Sequence, residues 1–70
     1  MKYKICKDLD YVEGYLRYGH AEVNVEADSE EEALAKAEEM FAERGAYSVV
    51  VDDYCINDYG DFVGKAYISK

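Results

Sequence analysis

The chain has no proline, only two cysteines, a single histidine, and half as many basic residues as acidic ones. Each shortage excludes something. Without proline, low-complexity stretches or internal repeats, nothing reads as a linker. The 70 residues therefore make one domain, 1–70, with no room for a second core. Cys6 and Cys55 are too few for a disulfide framework, and in a reducing compartment both are expected as thiols; a bridge between neighbouring strands is the alternative. The segment Met1 to Asp8 has no apolar stretch after its lysines and does not read as a signal peptide. No run approaches membrane-spanning length, so a cytoplasmic protein without a membrane partner is expected. Sixteen Asp and Glu against eight Lys and Arg leave a formal net charge of −8. Such a field repels nucleic-acid phosphates and anionic lipid and attracts basic surfaces. Direct nucleic-acid binding is disfavoured on that ground alone.

The signals of catalysis are missing too. His20 reads as a surface or satisfied residue at a strand entrance. The acidic surroundings of both cysteines should raise thiol pKa values and blunt nucleophilicity. No phosphate-cradling glycine loop, serine elbow or zinc spacing is present. The run Asp52 to Asp61 is rich in oxygen ligands, but aligning Gly60 with the glycine of an EF-hand puts Cys55, Asn57 and Tyr59 at the first three ligand positions. Only Asn57 suits. No enzyme activity, metal site or cofactor is expected.

What the chain does have is clear periodicity. Half of its residues are hydrophobic, which suits a folded domain and not a disordered acidic tail. From Ala21 to Ala27, apolar residues alternate with Glu22, Asn24 and Glu26, the period of a half-buried strand, and Lys2 to Lys7 is its expected partner. Ser29-Glu30-Glu31-Glu32 is a capping box, in which Glu32 can reach back to the Ser29 amide. Asp28 and three glutamates set negative charge at the positive end of the helix dipole. Ala33, Leu34, Ala37, Met40 and Phe41 then recur at helical spacing, and Gly45 supplies a stop after Arg44. Tyr47 to Val51 reads as a β-branched strand with scope to continue to Ile56. Asn57 to Gly60 has turn chemistry, and Phe62 to Ser69 alternates as a last strand. The expected fold is α+β: β-β-α-β-β, one helix from Glu30 to Arg44 packed on a mainly antiparallel four-stranded sheet.

The acids are the best lead to function. On the helix, Glu31, Glu32, Glu38, Glu39 and Glu43 point away from the apolar stripe, with Lys36 the only base among them. Asp52, Asp53, Asp58 and Asp61 gather on what reads as the last hairpin, with Tyr54 and Tyr59 between them. Tyrosine is a frequent binding residue because it offers large contact area at low entropic cost. Tyr3 and Tyr47 are expected in the core. The candidate partner-binding residues are thus Glu31, Glu38, Glu39, Asp52, Asp53, Tyr54, Asp58, Tyr59 and Asp61.

The segment Val25-Glu26-Ala27-Asp28-Ser29-Glu30-Glu31-Glu32-Ala33, continuing through Ala37, resembles the strand-to-helix joint of the DpnD/PcfM-like family of phage and mobile-element proteins. In size, acidity and topology the whole chain is also similar to anti-CRISPR proteins. That resemblance implies a DNA-mimicking inhibitor in a bacterial host cell, whose partner is the basic surface of a nucleic-acid-binding complex such as a CRISPR effector. The alternative is a small structural or regulatory accessory protein, open to homodimer formation, whose acidity serves solubility.

Overall fold

The computed structural model describes residues 1–10, 19–43, 46–51 and 61–69. In chain order they form β1 (Lys2–Asp10), β2 (Gly19–Glu26), α1 (Glu30–Glu43), β3 (Ser48–Val51) and β4 (Asp61–Ile68). The strands make one antiparallel sheet in the order β3-β2-β1-β4. One helix lies on this sheet, so the α+β architecture is as the periodicity predicts.

Register explains which residues are buried. Tyr3, Ile5 and Lys7 of β1 stand opposite Val25, Val23 and Ala21 of β2, and these six share one face. Lys4, Cys6 and Asp8, opposite Asn24, Glu22 and His20, share the other. The helix covers the first face with Ala33, Ala37 and Phe41, which join Ile5, Ala21, Val23, Val25 and Ala27 in the core. Alanine at 33 and 37 leaves little side chain between helix and sheet. The last turn is filled by aromatic rings instead: Phe41 has ring centroids 5.8 Å from Tyr47 and 5.7 Å from Phe62, and Tyr47 meets Phe62 edge-on at 5.0 Å. Such pairs add to the area that each ring removes from water. Tyr3 and Tyr47 do pack against the core, although both are only half-buried.

One end of the β1–β2 pair is closed by backbone bonds. The Met1 amine donates to the Ala27 carbonyl at 3.0 Å, and the Ala27 amide donates to the Met1 carbonyl at 3.0 Å. On the other side of β1, Ile5 pairs with Ile68 and Cys6 with Tyr67, but Asp8 pairs with Val63. Lys7 of β1 is therefore matched by three residues of β4, Gly64 to Ala66, a bulge that contains Gly64 at φ 76°.

Two expectations are corrected. β1 runs to Asp10, beyond Lys7, because pairing with β4 carries the poor strand formers Asp8 and Asp10 along. β3 and β4 lie on opposite edges of the sheet, since β2 and β1 occupy its centre, so these two strands do not pair with each other as a hairpin. The helix is described to Glu43, and Arg44, Gly45 and the proposed extension of β3 to Ile56 lie outside the described residues.

Candidate functional site

The outer face of α1 is built by its cap and its stripe. Ser29 Oγ accepts the Glu32 amide at 3.1 Å, and the Ser29 carbonyl accepts the Ala33 amide at 3.0 Å, which starts the helix. Glu32 Oε2 accepts the Asp28 amide at 3.1 Å. The box was expected to close on the Ser29 amide; the carboxylate reaches one residue further back. That amide, with the Lys36 charge 3.5 Å from Oε1, holds the Glu32 carboxyl below the usual glutamate range. With Ala33, Ala37 and Phe41 turned inward, Glu30, Glu31, Glu38, Glu39 and Glu43 are all exposed.

Few bases offset them. Lys36 is held by Glu32 and donates to the Glu26 carbonyl at 2.7 Å. Lys7 reaches up from β1 to Glu38 at 3.1 Å. Among the described residues, Glu30, Glu31, Glu39 and Glu43 enter no ion pair. A groove of about 290 Å³ runs beside Glu38, between Leu34 and Ala35 of the helix and Gly64, Lys65 and Ala66 of β4. Of the candidate contacts, Glu31, Glu38 and Glu39 thus share the helix surface. Asp61 opens β4 opposite Asp10. Asp52, Asp53, Tyr54, Asp58 and Tyr59 lie outside the described residues.

The face of the sheet opposite α1 holds a second constellation. Cys6, 2% exposed, has Glu22 opposite on β2 and Tyr67 opposite on β4. His20 stands two residues before Glu22 on the same face, so its side chain is diagonal to Cys6. One ligand atom from each of Cys6, His20 and Glu22 lies within 4.8 Å of the other two. Lys4 Nζ is 2.9 Å from Glu22 Oε1, and His20 Nε2 is 3.7 Å from Glu22 Oε2. The Lys4 hydrogen bond and charge pull the Glu22 carboxyl down, while Glu22 in turn pushes the Lys4 ammonium up. Burial pushes the Cys6 thiol up, with a hydrogen bond to Ser69 acting against it and the Glu22 and Asp8 charges adding to it. The Tyr67 hydroxyl donates to Asp8 Oδ1 at 3.3 Å at the edge of this group.

His20 on its own does not reveal this cluster. The usable signal is His20-Ala21-Glu22: residues two apart on a strand face the same way, and a partner strand carrying Cys6 completes the set only once the register is known. Comparison with family models, with curated proteins and with solved structures finds no match to the chain.

Proposed function

We propose that this is a non-enzymatic binding protein whose acidic helix surface occupies a basic nucleic-acid-binding site, most concretely an anti-CRISPR inhibitor of a CRISPR effector complex. The observation that carries the reading is the charge density of α1. Its 14 residues hold six glutamates and one lysine. Over a helix of about 21 Å, that is about one net negative charge per 4 Å, close to the one per ~3.4 Å along a strand of duplex DNA. Effector complexes grip nucleic acid through positively charged channels, which a compact body carrying such a row can enter in place of phosphates. Opposite fields make the encounter fast and salt-sensitive. The groove beside Glu38 gives the aliphatic stem of a partner lysine or arginine an apolar seat next to the carboxylates.

The test is competition. The protein is added to Type I and Type II effector complexes, and target-DNA binding is followed by fluorescence anisotropy across a salt series. Loss of DNA binding that weakens with salt, and that disappears in a Glu31→Lys/Glu38→Lys/Glu39→Lys variant with unchanged circular dichroism, supports the reading. DNA binding indifferent to the added protein defeats it.

A further inference from the structure

We propose that Cys6, His20 and Glu22 form a zinc-binding site on the face of the sheet opposite α1. The three side chains come from two neighbouring strands, and their ligand atoms already lie within 4.8 Å of one another. The spacing of the His20 and Glu22 atoms is the telling distance. At 3.7 Å, Nε2 to Oε2 is too long for a good hydrogen bond. Two ligands at about 2.0–2.1 Å from a tetrahedral zinc stand roughly 3.4 Å apart, so a metal between them needs a closure of only a few tenths of an ångström. The thiolate sulfur, bound at about 2.3 Å, comes to roughly 3.6 Å from the imidazole nitrogen in the same geometry.

The surroundings suit this role. Lys4 holds Oε1 of Glu22, which leaves Oε2 to face His20. An outer partner that fixes the orientation of a ligating carboxylate is a usual feature of metal sites. Strands hold the backbone of all three ligands, and Cys6 is almost wholly enclosed, whereas the His20 side chain is 25% exposed and gives a metal its way in. A thiolate, an imidazole and a carboxylate favour zinc over the hard cations calcium and magnesium. On binding, the Cys6 thiol gives its proton to solvent, so that a thiolate and the Glu22 carboxylate, shared with Lys4, face the ion. Three protein ligands leave the fourth tetrahedral position to water.

Cobalt(II) is the probe, because a thiolate ligand gives it a charge-transfer band and tetrahedral geometry gives it strong visible bands. The titration uses a Cys55→Ser chain, so that Cys6 is the only thiol. One equivalent of Co²⁺ should produce both bands, and one equivalent of Zn²⁺ should abolish them. Cys6→Ser in that background should remove the charge-transfer band. His20→Ala and Glu22→Gln should each weaken Co²⁺ binding by more than about tenfold, since even loss of an outer partner costs 10–100-fold at established sites. Absence of both bands at saturating Co²⁺ overturns the proposal, as does unchanged affinity in both the His20→Ala and Glu22→Gln chains. Should Cys6→Ser fail to fold, those two variants decide the matter on their own.

Discussion

Lys7 Nζ lies 3.1 Å from Glu38 Oε1 and 3.3 Å from Oε2, an ion pair that ties β1 to α1. Lys7 belongs to the helix-covered face, opposite Ala21, so its stem lies under the helix while its ammonium emerges at the rim. The pair fastens the helix and neutralises one of the candidate contact acids at the same time. Lys7→Met keeps the stem and removes the charge. With the Glu38 carboxylate half in solvent, the pair is worth about 1 kcal/mol, and urea unfolding should show a loss of that order. Freed of its partner, Glu38 should strengthen competition with DNA for the effector complex. A Lys7→Met chain that competes less well than wild type, at equal stability, would remove α1 from the interface.

Phe41 is the residue on which the core most depends. It is 2% exposed, the largest fully buried side chain among the described residues, and it touches both Tyr47 and Phe62. Phe→Ala changes in cores cost about 3–5 kcal/mol, against a total of roughly 4–10 kcal/mol for a chain of this length. Phe41→Ala should therefore lose its cooperative thermal transition by circular dichroism, while Phe41→Leu keeps a lowered one. A cooperative melt for Phe41→Ala within a few degrees of wild type would contradict this packing of Phe41 against Tyr47 and Phe62.

These two positions show what the sequence made legible. Phe41 stands out because helical spacing identifies an inward stripe, and the capping residues at Ser29 and Glu32 identify where that stripe begins. The same logic places Glu31, Glu38 and Glu39 outside. Alternation within β1 and β2 likewise sorts Ile5, Val23 and Val25 from Lys4, Glu22 and Asn24. It says nothing of neighbours, however. That β4 pairs with β1 and not with β3 depends on contacts distant in sequence, such as Ile5 with Ile68. The Cys6, His20 and Glu22 cluster was hidden for the same reason, since its meaning lies in a register that alternation alone does not set.

Gly64 supplies a third expectation. Its φ of 76° lies in the left-handed region, at the point where β4 has two residues more than β1 requires. A Cβ added there meets nothing within 4 Å, so the cost of substitution is conformational and not steric crowding by neighbours. Gly64→Ala should destabilise the fold by about 1–2 kcal/mol, the usual penalty of a left-handed conformation for an L-residue. Gly64→Asn should lose less, because asparagine tolerates that region. Equal losses in the two variants by urea unfolding would argue for a different backbone at this bulge.

The N-terminal cap of α1 links stability to pH. Ser29→Ala removes the acceptor of the Glu32 amide and should cost about 1 kcal/mol. Glu32 acts through its charge as well. The Asp28 amide first, and then Lys36, favour its ionised form, so its folded-state pKa lies below the unfolded value. The unfolded chain then takes up a proton more readily as pH falls. The Glu32 contribution is complete above the ordinary glutamate pKa of about 4.3 and is lost as pH drops through the lower folded value. Glu22, held down by Lys4, has the same sign, so acid sensitivity of the wild type alone does not isolate Glu32. The difference between wild type and Glu32→Gln does. Unfolding free energies of the two should diverge above that range and converge below it. A constant difference across the window would show that the Glu32 side chain supports the helix by its hydrogen-bonding shape and not by its charge.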